Sequence, residues 1–268
     1  MNDEMFGGKF KNKNILVTGH TGFIGSWLSL WLNHLGANVI GYSLKPSTKP
    51  ALFDILQLDK KTTSVFADIR EKEKITSIID KYEPEFVFHL AAQPLVRESY
   101  NKPLETFETN FLGTANILES LRTSTVSTAI IMTSDKCYDN KKIHPHVEDD
   151  PMGGIDPYSA SKGATELLIS SYRESFFKTD HNSTNIASIR AGNVIGGGDW
   201  SKDRIIPDII KAQTNGKELV IRNPDAIRPW QYVLEPILGM LNISLKMNYD
   251  NSKIVLNQGW NLGPNLEK

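Results

Sequence analysis

Residues 13–25 read KNILVTGHTGFIG, an apolar strand that runs into a glycine-rich turn and then into an apolar helix. Gly19, Gly22 and Gly25 have the spacing G-x-x-G-x-x-G. At a strand–turn–helix junction, such glycines allow a tight turn, let the backbone approach a pyrophosphate and let the helix pack on the strand. Free N–H groups at the helix N-terminus then face the phosphates. This spacing alone also suits a purely structural turn. The assignment of dinucleotide binding therefore depends on the rest of the sequence.

Strand and helix patterns alternate from this segment to residue 191. Apolar β-type runs predict strands, and apolar residues at helical spacing predict helices between them. This alternation implies a parallel sheet with helices on both faces, which binds its ligands beyond the carboxyl ends of the strands. We therefore predict an α/β fold built on a doubly wound parallel (Rossmann) sheet, with dinucleotide binding at the glycine turn. The predicted strands are 13–18, 37–42, 63–67, 85–91, 127–134 and 185–191, and the predicted helices are 23–35, 71–82, 104–122 and 156–177.

The pattern changes after residue 191, where Gly196-Gly197-Gly198 begins an irregular stretch rich in Arg, Pro and Trp. We predict an NAD-binding Rossmann domain over residues 1–191 and a smaller, partial substrate-binding lobe over residues 192–268. Some segments of this predicted lobe can form part of the main sheet. Because the sequence stops soon after an apparent strand, at residues 261–264, the lobe is expected to be truncated.

Composition and charge exclude several classes of partner. The 268-residue chain has a net charge of −1, so no general field attracts nucleic acid or anionic lipid. Cys137 is the single cysteine, which excludes an intramolecular disulfide, and His144 and His146 have no evident third ligand, so no metal site is predicted. Residues 1–13 lack a signal-peptide core, and the apolar stretch 23–35 is too short and polar to span a bilayer. We predict a soluble, cytoplasmic protein.

Tyr158 and Lys162 lie four residues apart in the predicted helix 156–177, which puts them on one face, roughly 6 Å apart along the axis. A free tyrosine titrates near pH ~10, so it is a poor base at neutral pH. A neighbouring ammonium and a positively charged nicotinamide both favour the phenolate, which can then accept the proton of a sugar hydroxyl. The Y-x-x-x-K spacing is common by chance, and its position after the strand that ends at Ser134 is what favours a catalytic role.

Five segments carry a resemblance to a known family: TGHTGF (18–23), HLAAQP (89–94), TSDKCY (133–138), RAGNVIGGGDW (190–200) and IRPWQ (227–231). With them the chain resembles the extended short-chain dehydrogenases/reductases that act on nucleotide sugars, and specifically the CDP-glucose 4,6-dehydratases. The resemblance implies a lyase that converts CDP-glucose to CDP-4-keto-6-deoxyglucose by internal NAD-mediated hydride transfer with loss of water. It also implies a homodimer formed through the helices near residues 104–122 and 156–177.

The resemblance implies catalytic roles for five residues. Tyr158 is the base at the sugar O4, Ser134 is hydrogen-bonded to that oxygen, and Lys162 holds the ribose and tunes Tyr158. Asp135 is the acid that protonates the departing hydroxyl. Lys136 stands where other sugar dehydratases carry a glutamate base, yet a lysine at its reference pKa of about 10.4 is protonated. Either its pKa is depressed, or, as we favour, it acts while charged by stabilising the enolate that forms beside the C4 ketone.

The cofactor and substrate residues follow from the same resemblance and from local chemistry. Asp68 ends a strand and is suited to accept from the adenine amino group, whereas the end of the second strand lacks the acid that NAD-preferring sites usually place there. Lys45 at that position would tolerate a 2′-phosphate, so NAD is predicted without excluding NADP. Guanidinium groups bind diphosphates well. The cofactor-binding residues are Gly19, His20, Thr21, Gly22, Phe23, Ile24, Gly25, Asp68, Ile69, Leu90, Ala91, Ala92, Gln93, Tyr158 and Lys162, and the residues for the nucleotide sugar are Gln93, Asn193, Arg204 and Arg228.

Two other functions remain open at this level. One is another nucleotide-sugar epimerase or dehydratase of the same fold, and Asp135 argues against an epimerase, which expels no water. The other is a truncated NAD-binding protein without turnover, against which the intact Tyr158 and Lys162 argue.

Overall fold

The strands of the chain divide into one large sheet and one small pair. The structure, a computed structural model, describes residues 6–139, 145–177, 184–219, 221, 224–249 and 256–264. Within these ranges the strands are β1 (Asn14–Thr18), β2 (Asn38–Ser43), β3 (Thr63–Phe66), β4 (Phe86–His89), β5 (Thr128–Met132), β6 (Asn185–Ala191), β7 (Asn193–Ile195), β8 (Trp230–Tyr232) and β9 (Gly259–Leu262). The order in the large sheet is β3-β2-β1-β4-β5-β6-β9, with every pair parallel, and β7 pairs with β8. The doubly wound parallel sheet predicted from the sequence is confirmed.

The helices connect these strands and cover both faces of the sheet. They are α1 (Phe23–His34), α2 (Leu52–Ile55), α3 (Lys72–Tyr82), α4 (Val96–Asn101), α5 (Pro103–Phe107), α6 (Gly113–Leu121), α7 (Pro157–Phe176), α8 (Ile205–Thr214) and α9 (Leu234–Tyr249). A π-helical turn, Glu108–Leu112, joins α5 to α6, where the sequence predicts one continuous helix over 104–122. None of the helices in the described part of the chain is long and apolar enough to cross a bilayer.

Each face of the sheet has its own apolar core, because successive side chains of a strand point to opposite faces. Ile15 and Val17 of β1 face the cluster that contains α1 and α9, whereas Leu16 faces the cluster that contains α3 and α6. Each fully buried side chain of this size contributes roughly 1.5–3 kcal/mol relative to an exposed one. The two cores therefore hold the carboxyl ends of the strands in fixed relative positions.

Two elements beyond residue 191, β9 and α9, belong to the main sheet and to the apolar core on one of its faces. β9 pairs with β6 from Ser188↔Gly259 to Ala191↔Leu262. The helix α9 buries Ile237, Met240 and Leu241 in the same core cluster as α1. Between them and β6, the segment 192–232 carries β7, α8 and β8. The division into domains at residue 191 stays a prediction.

His89 joins three elements at the carboxyl edge of the sheet. Its Nδ1 lies 2.7 Å from the hydroxyl of Thr18 on β1, and its Nε2 lies 3.0 Å from the hydroxyl of Thr114 on α6. The Thr18 oxygen also accepts from the N–H groups of Leu90 and Ala91 at 3.2 Å. Burial, and then the charge of Lys162, lower the pKa of His89 to about 3, so its imidazole is neutral at pH 7.

Acid is expected to destabilise the fold through His89. Its folded-state pKa of about 3 lies below the ordinary value of about 6.5, so between these values the unfolded chain binds a proton that the folded chain excludes. The stabilisation is complete above the unfolded-state pKa and decreases as the pH falls, by about 2 kcal/mol between about pH 7 and about pH 5. Urea unfolding of His89→Asn should therefore show a flatter pH dependence than the parent. His34→Asn, which alters an exposed histidine, should keep the parental slope; equal slopes in all three proteins would contradict the assignment.

Candidate active site

The glycine loop, residues 19–25, lies directly against the backbone that follows β4. Gly19 has φ of +73°, and a Cβ atom there would lie 2.7 Å from the amide nitrogen of Ala91. A Cβ atom on Gly25 would lie 2.1 Å from the carbonyl oxygen of Gly19. Both positions exclude a side chain, so backbone lines the crevice between β1 and β4, where the winding of the sheet reverses. This cradle fits the diphosphate of a dinucleotide.

Two side chains of the loop are engaged with the neighbouring strands. The buried His20 ring lies 3.0 Å, at Nε2, from the hydroxyl of Ser64, and burial lowers its pKa to about 4. The hydroxyl of Thr21 lies 2.7 Å from that of Ser43 and donates to the carbonyl of Leu44 at 2.8 Å. Any contact of these two residues with a cofactor would therefore come mainly from their backbone. Gly22 caps α1, and Phe23 and Ile24 form its half-buried first turn.

The predicted adenine-binding acid already has an ion-pair partner. Both carboxylate oxygens of Asp68 accept from Arg70, at 3.0 and 2.7 Å, and this pairing lowers the pKa of Asp68. Ile69, the next residue, is buried. Asp68 as an acceptor for adenine stays a prediction, and such a contact would have to share oxygens with Arg70.

The segment after β4 is fixed by apolar packing and by the hydrogen bonds of Gln93 and Asn110. Leu90 and Ala91 pack against the two core clusters, and Ala92 is half-buried. The Gln93 amide donates to the Thr106 hydroxyl at 2.9 Å and accepts from the N–H of Leu95 at 2.5 Å. Asn110, in the π-helical turn, accepts from the N–H of Gln93 at 2.8 Å. These hydrogen bonds give Gln93 a structural role in the segment after β4. Its contacts with the cofactor and the nucleotide sugar stay a prediction.

The structure brings the predicted catalytic residues together where α7 begins. Asp156 caps this helix by accepting from the N–H of Ser159 at 3.0 Å, which places Tyr158 in the first turn. The buried phenol of Tyr158 lies beside Ser134, which follows β5, close enough for the Ser134 hydroxyl to lower the pKa of Tyr158. The Ser134 hydroxyl donates to Asp135 at 3.0 Å and accepts from the N–H of Lys136 at 3.2 Å. A phenol, a hydroxyl, a carboxylate and an ammonium thus follow one another around a single strand end.

Without a bound cofactor, Tyr158 is neutral at pH 7 because its pKa is raised. Burial raises the pKa of Tyr158 to about 12, while the Ser134 hydrogen bond and the Arg204 guanidinium act in the opposite direction. Asp135 adds to the increase. The sequence-based expectation that the phenolate is favoured therefore requires positive charge beyond that of the surrounding side chains.

Lys162 lies one helical turn beyond Tyr158 and is held at the same strand end. Its ammonium donates to the carbonyl of Met132 at 3.3 Å and is almost fully buried. Burial lowers the pKa of Lys162 to about 8, against the influence of Glu166, which raises it. The group is thus mostly charged at pH 7.

The three residues predicted for the nucleotide diphosphate lie around the small sheet and the start of α8. Nη1 of Arg204 donates to the Asp199 carboxylate at 2.9 Å, and the charge of Arg204 lowers the pKa of Tyr158. Asn193 begins β7 opposite Trp230 of β8, and its buried Oδ1 has no hydrogen-bond partner among the described residues. Arg228, two residues before β8, is exposed and donates to the carbonyl of Ile227 at 2.9 Å.

Several polar residues around the site were missed by sequence reasoning. Glu166 and Arg190 form a buried ion pair, and Tyr138 accepts from Arg190 at 2.7 Å. One signal was present: an arginine inside the otherwise apolar strand 185–191 needs a buried partner, and Glu166 repeats the helical spacing of Tyr158 and Lys162.

The possible metal motif has no counterpart in the structure as far as the chain is described. No group of three His, Cys, Asp or Glu side chains is arranged to hold a metal ion among the described residues. His144 lies outside these residues, and His146 lies 3.0 Å from Asp150 and stacks on Tyr138.

Comparison with known proteins identifies the family to which the chain belongs. The sequence profile of GDP-mannose 4,6 dehydratase matches residues 16–268. The chain belongs to this family. A CDP-glucose 4,6-dehydratase of Salmonella typhimurium is 48% identical over 263 residues, which are 96% of this chain and 73% of that protein. The predicted resemblance to the nucleotide-sugar 4,6-dehydratases is thereby confirmed.

Solved structures of related enzymes share the fold. A UDP-glucose 4-epimerase of Thermotoga maritima, solved with UDP-glucose, has a TM-score of 0.79 at 26% identity and covers 93% of this chain and 76% of its own. A dTDP-glucose 4,6-dehydratase of Streptomyces venezuelae, solved with NAD, has a TM-score of 0.80 at 20% identity and covers 94% and 76% of the two chains. Both solved structures therefore share the Rossmann architecture of this chain. The roles of individual residues stay predictions.

Proposed function

We propose that the chain is a lyase that converts CDP-glucose to CDP-4-keto-6-deoxyglucose. The observation that carries the proposal is the placement of the buried Tyr158 phenol beside Ser134, with Asp135 and Lys136 directly after it. The similarity to a CDP-glucose 4,6-dehydratase, at 48% identity over nearly the whole chain, supports this reaction and this substrate.

NAD is the proposed cofactor. The cradle formed by Gly19, Gly25 and the backbone at Ala91 suits a dinucleotide, and the dTDP-glucose 4,6-dehydratase with the same fold was solved with NAD. When bound, NAD supplies the acceptor for the hydride of C4, returns this hydride to C6, and adds the positive charge that the Tyr158 phenolate requires. The absence of an acid at the end of β2 leaves NADP as a weaker alternative.

Tyr158 acts as the base for the first proton. Its phenolate accepts the proton of the C4 hydroxyl as the hydride leaves C4, and the Ser134 hydroxyl holds the same sugar oxygen. Arg204 lowers the pKa of Tyr158 by its positive charge, and we assign a second contribution of positive charge to Lys162, one turn along α7. The low dielectric that raises the pKa of Tyr158 also strengthens the effect of each of these charges.

Asp135 and Lys136 act after the ketone has formed. Asp135 protonates the C6 hydroxyl as it departs as water, and the neighbouring Ser134 hydroxyl orients its carboxyl group at 3.0 Å. Lys136 stabilises the enolate that develops as the C5 proton passes to solvent, because the adjacent ketone already acidifies that bond. C5 regains a proton from solvent when the hydride adds to C6.

The nucleotide diphosphate is assigned to Asn193, Arg204 and Arg228. The Nδ2 group of Asn193 can donate to a phosphate oxygen, and its buried Oδ1, which has no partner among the described residues, can accept from a hydroxyl group of the nucleotide sugar. Arg204, which Asp199 holds in place, and the exposed Arg228 supply guanidinium groups for the phosphates.

The reaction is tested by incubating the purified chain with NAD and CDP-glucose, and with UDP-, GDP- and dTDP-glucose in parallel. We expect the 4-keto sugar, detected by its absorbance in alkali, to form from CDP-glucose with the highest kcat/KM. A 4-epimer without keto sugar would favour the epimerase alternative. No product from any of the four sugars would contradict the dehydratase proposal.

Replacing Lys136 with Met is expected to separate the two halves of the reaction. Because Lys136 serves the enolate and not the C4 hydroxyl, exchange of the C5 proton for deuterium from D₂O should slow by about 10²-fold or more, while reduction of the nicotinamide is retained. Tyr158→Phe should abolish both, and Lys81→Met, at an exposed position, should affect neither. Undiminished C5 exchange in Lys136→Met would refute this role.

We also propose that the chain forms a homodimer through the helices within residues 104–122 and 156–177. Leu104 of α5 and Leu167 of α7 are 71% and 63% exposed, which is unusual for leucines on helices that pack together. The buried free thiol of Cys137 agrees with a cytoplasmic location, which stays a prediction.

Charges placed on these leucines should dissociate the dimer. Light scattering of Leu104→Glu/Leu167→Glu is expected to give the mass of one chain, because four carboxylates, two from each chain, would be buried without partners at the interface. Ile55→Glu changes an equally exposed apolar residue on α2 and should leave the mass at two chains. A parent protein with the mass of one chain would show the proposal to be wrong.

A further inference from the structure

A buried ion pair lies beneath the segment that carries the catalytic residues, and the mechanism above does not use it. Glu166 and Arg190 meet at 2.8 Å, and their side chains are only 3% and 8% exposed. Glu166 is one turn of α7 beyond Lys162, and Arg190 is in β6. The pair thus connects the helix of Tyr158 with the strand next to β5.

Both ends of the catalytic loop, residues 133–138, are bonded to this ion pair. At the first end, the Thr133 hydroxyl donates to Oε1 of Glu166. At the other end, Nη1 of Arg190 donates to the Tyr138 hydroxyl at 2.7 Å. Ser134, Asp135 and Lys136 lie between these two attachments. A shift of either charged side chain would therefore move the loop relative to Tyr158.

Further hydrogen bonds fix the geometry of the ion pair. The Ser188 hydroxyl donates to Oε2 of Glu166 at 2.8 Å, and the Tyr138 hydroxyl donates to Oδ1 of Asn261 at 2.6 Å. A Cβ atom on Gly259 would lie 2.3 Å from the Arg190 guanidinium, so β9 provides the space for it. The ion pair has a site built for it from β6, β9 and α7.

We propose that Glu166 and Arg190 are positioning residues that hold Ser134 and Asp135 against Tyr158. A buried ion pair is weak evidence for stability, because the cost of desolvating two charges offsets most of their attraction. Its directional bonds do fix two points of the loop, and displacement of reacting groups by about 1 Å can reduce a rate by about 10²-fold. The inference rests on the proposed function, since the rate that it concerns is that of the dehydration.

The test breaks each attachment of the loop without unpairing the buried charges. Thr133→Val removes the hydroxyl that binds Glu166, and Tyr138→Phe removes the hydroxyl that binds Arg190. We expect kcat for CDP-glucose to fall about tenfold or more in each, with KM changed by less than about threefold. The double variant should lose little more than either single variant, because both attachments serve one geometry.

Thr128→Val is the matched control on the same strand. The Thr128 hydroxyl is buried without a hydrogen-bond partner among the described residues, so its loss should leave kcat unchanged. If Thr133→Val and Tyr138→Phe lower the urea midpoint but keep the kcat of this control, the ion pair serves stability alone and the proposal is overturned.

Cys137 provides a second measurement that does not depend on turnover. It is the single cysteine, lies inside the loop and is fully buried, so its reaction with a thiol reagent under native conditions reports opening of the loop. We expect the rate to rise about tenfold in Thr133→Val and Tyr138→Phe and to stay unchanged in Thr128→Val. Unchanged rates in all variants would overturn the proposal. A parent protein that binds CDP-glucose without turnover would instead contradict the proposed function, and the Cys137 rates would still decide whether the ion pair holds the loop.

Discussion

The burial of one phenol determines what the rest of the site has to supply. Away from water, the pKa of Tyr158 rises to about 12, so bringing it to about 7 requires roughly 7 kcal/mol of electrostatic stabilisation of the phenolate. The Ser134 hydroxyl and the Arg204 guanidinium already act within this value, so they do not supply this free energy. For Tyr158 to act as the proposed base, the stabilisation has to come from positive charge that the chain by itself lacks, and a bound nicotinamide would add it. Binding of the cofactor is thus a condition for the proposed role of Tyr158.

The parallel sheet explains how these groups meet. Strands that run in the same direction end at the same edge, so the end of β5, the glycine loop after β1 and the segment after β4 lie side by side. α7 then crosses this edge and presents Tyr158 and Lys162 at successive turns. His89 and Thr18 join β4 to β1 beside the crevice that the glycine loop and the segment after β4 line.

Sequence reasoning worked where local chemistry decides the structure. The predicted helix over 156–177 differs from α7 by one residue at each end, because the Asp156 cap and Pro157 mark its start within the sequence itself. The glycine loop and the six predicted strands rest on equally local patterns. The sequence does not predict the π-helical turn at Asn110, whose hydrogen-bond partners Gln93 and Ser161 are distant in sequence.

Side-chain direction was the part of the site that the sequence could not predict. Gln93 points to Thr106 and His20 points to Ser64, and neither partner can be identified from spacing alone. The same holds for β9, whose pairing with β6 joins residues about 70 positions apart. Long-range pairing of this kind is decided by packing in three dimensions.

The Glu166–Arg190 pair shows why a buried charge can persist in an otherwise apolar layer. Apolar side chains of similar volume would fill the space between α7 and β6 at comparable stability. They would not bond to both Thr133 and Tyr138, and they would leave the direction of the loop to van der Waals packing, which tolerates small displacements. A loop that must hold a carboxyl group and a hydroxyl at defined positions beside one phenol needs directional bonds, and buried charges form the strongest ones available to a protein. The absence of a side chain at Gly259 is consistent with this requirement, because β9 leaves space for the guanidinium where a methyl group would have displaced it.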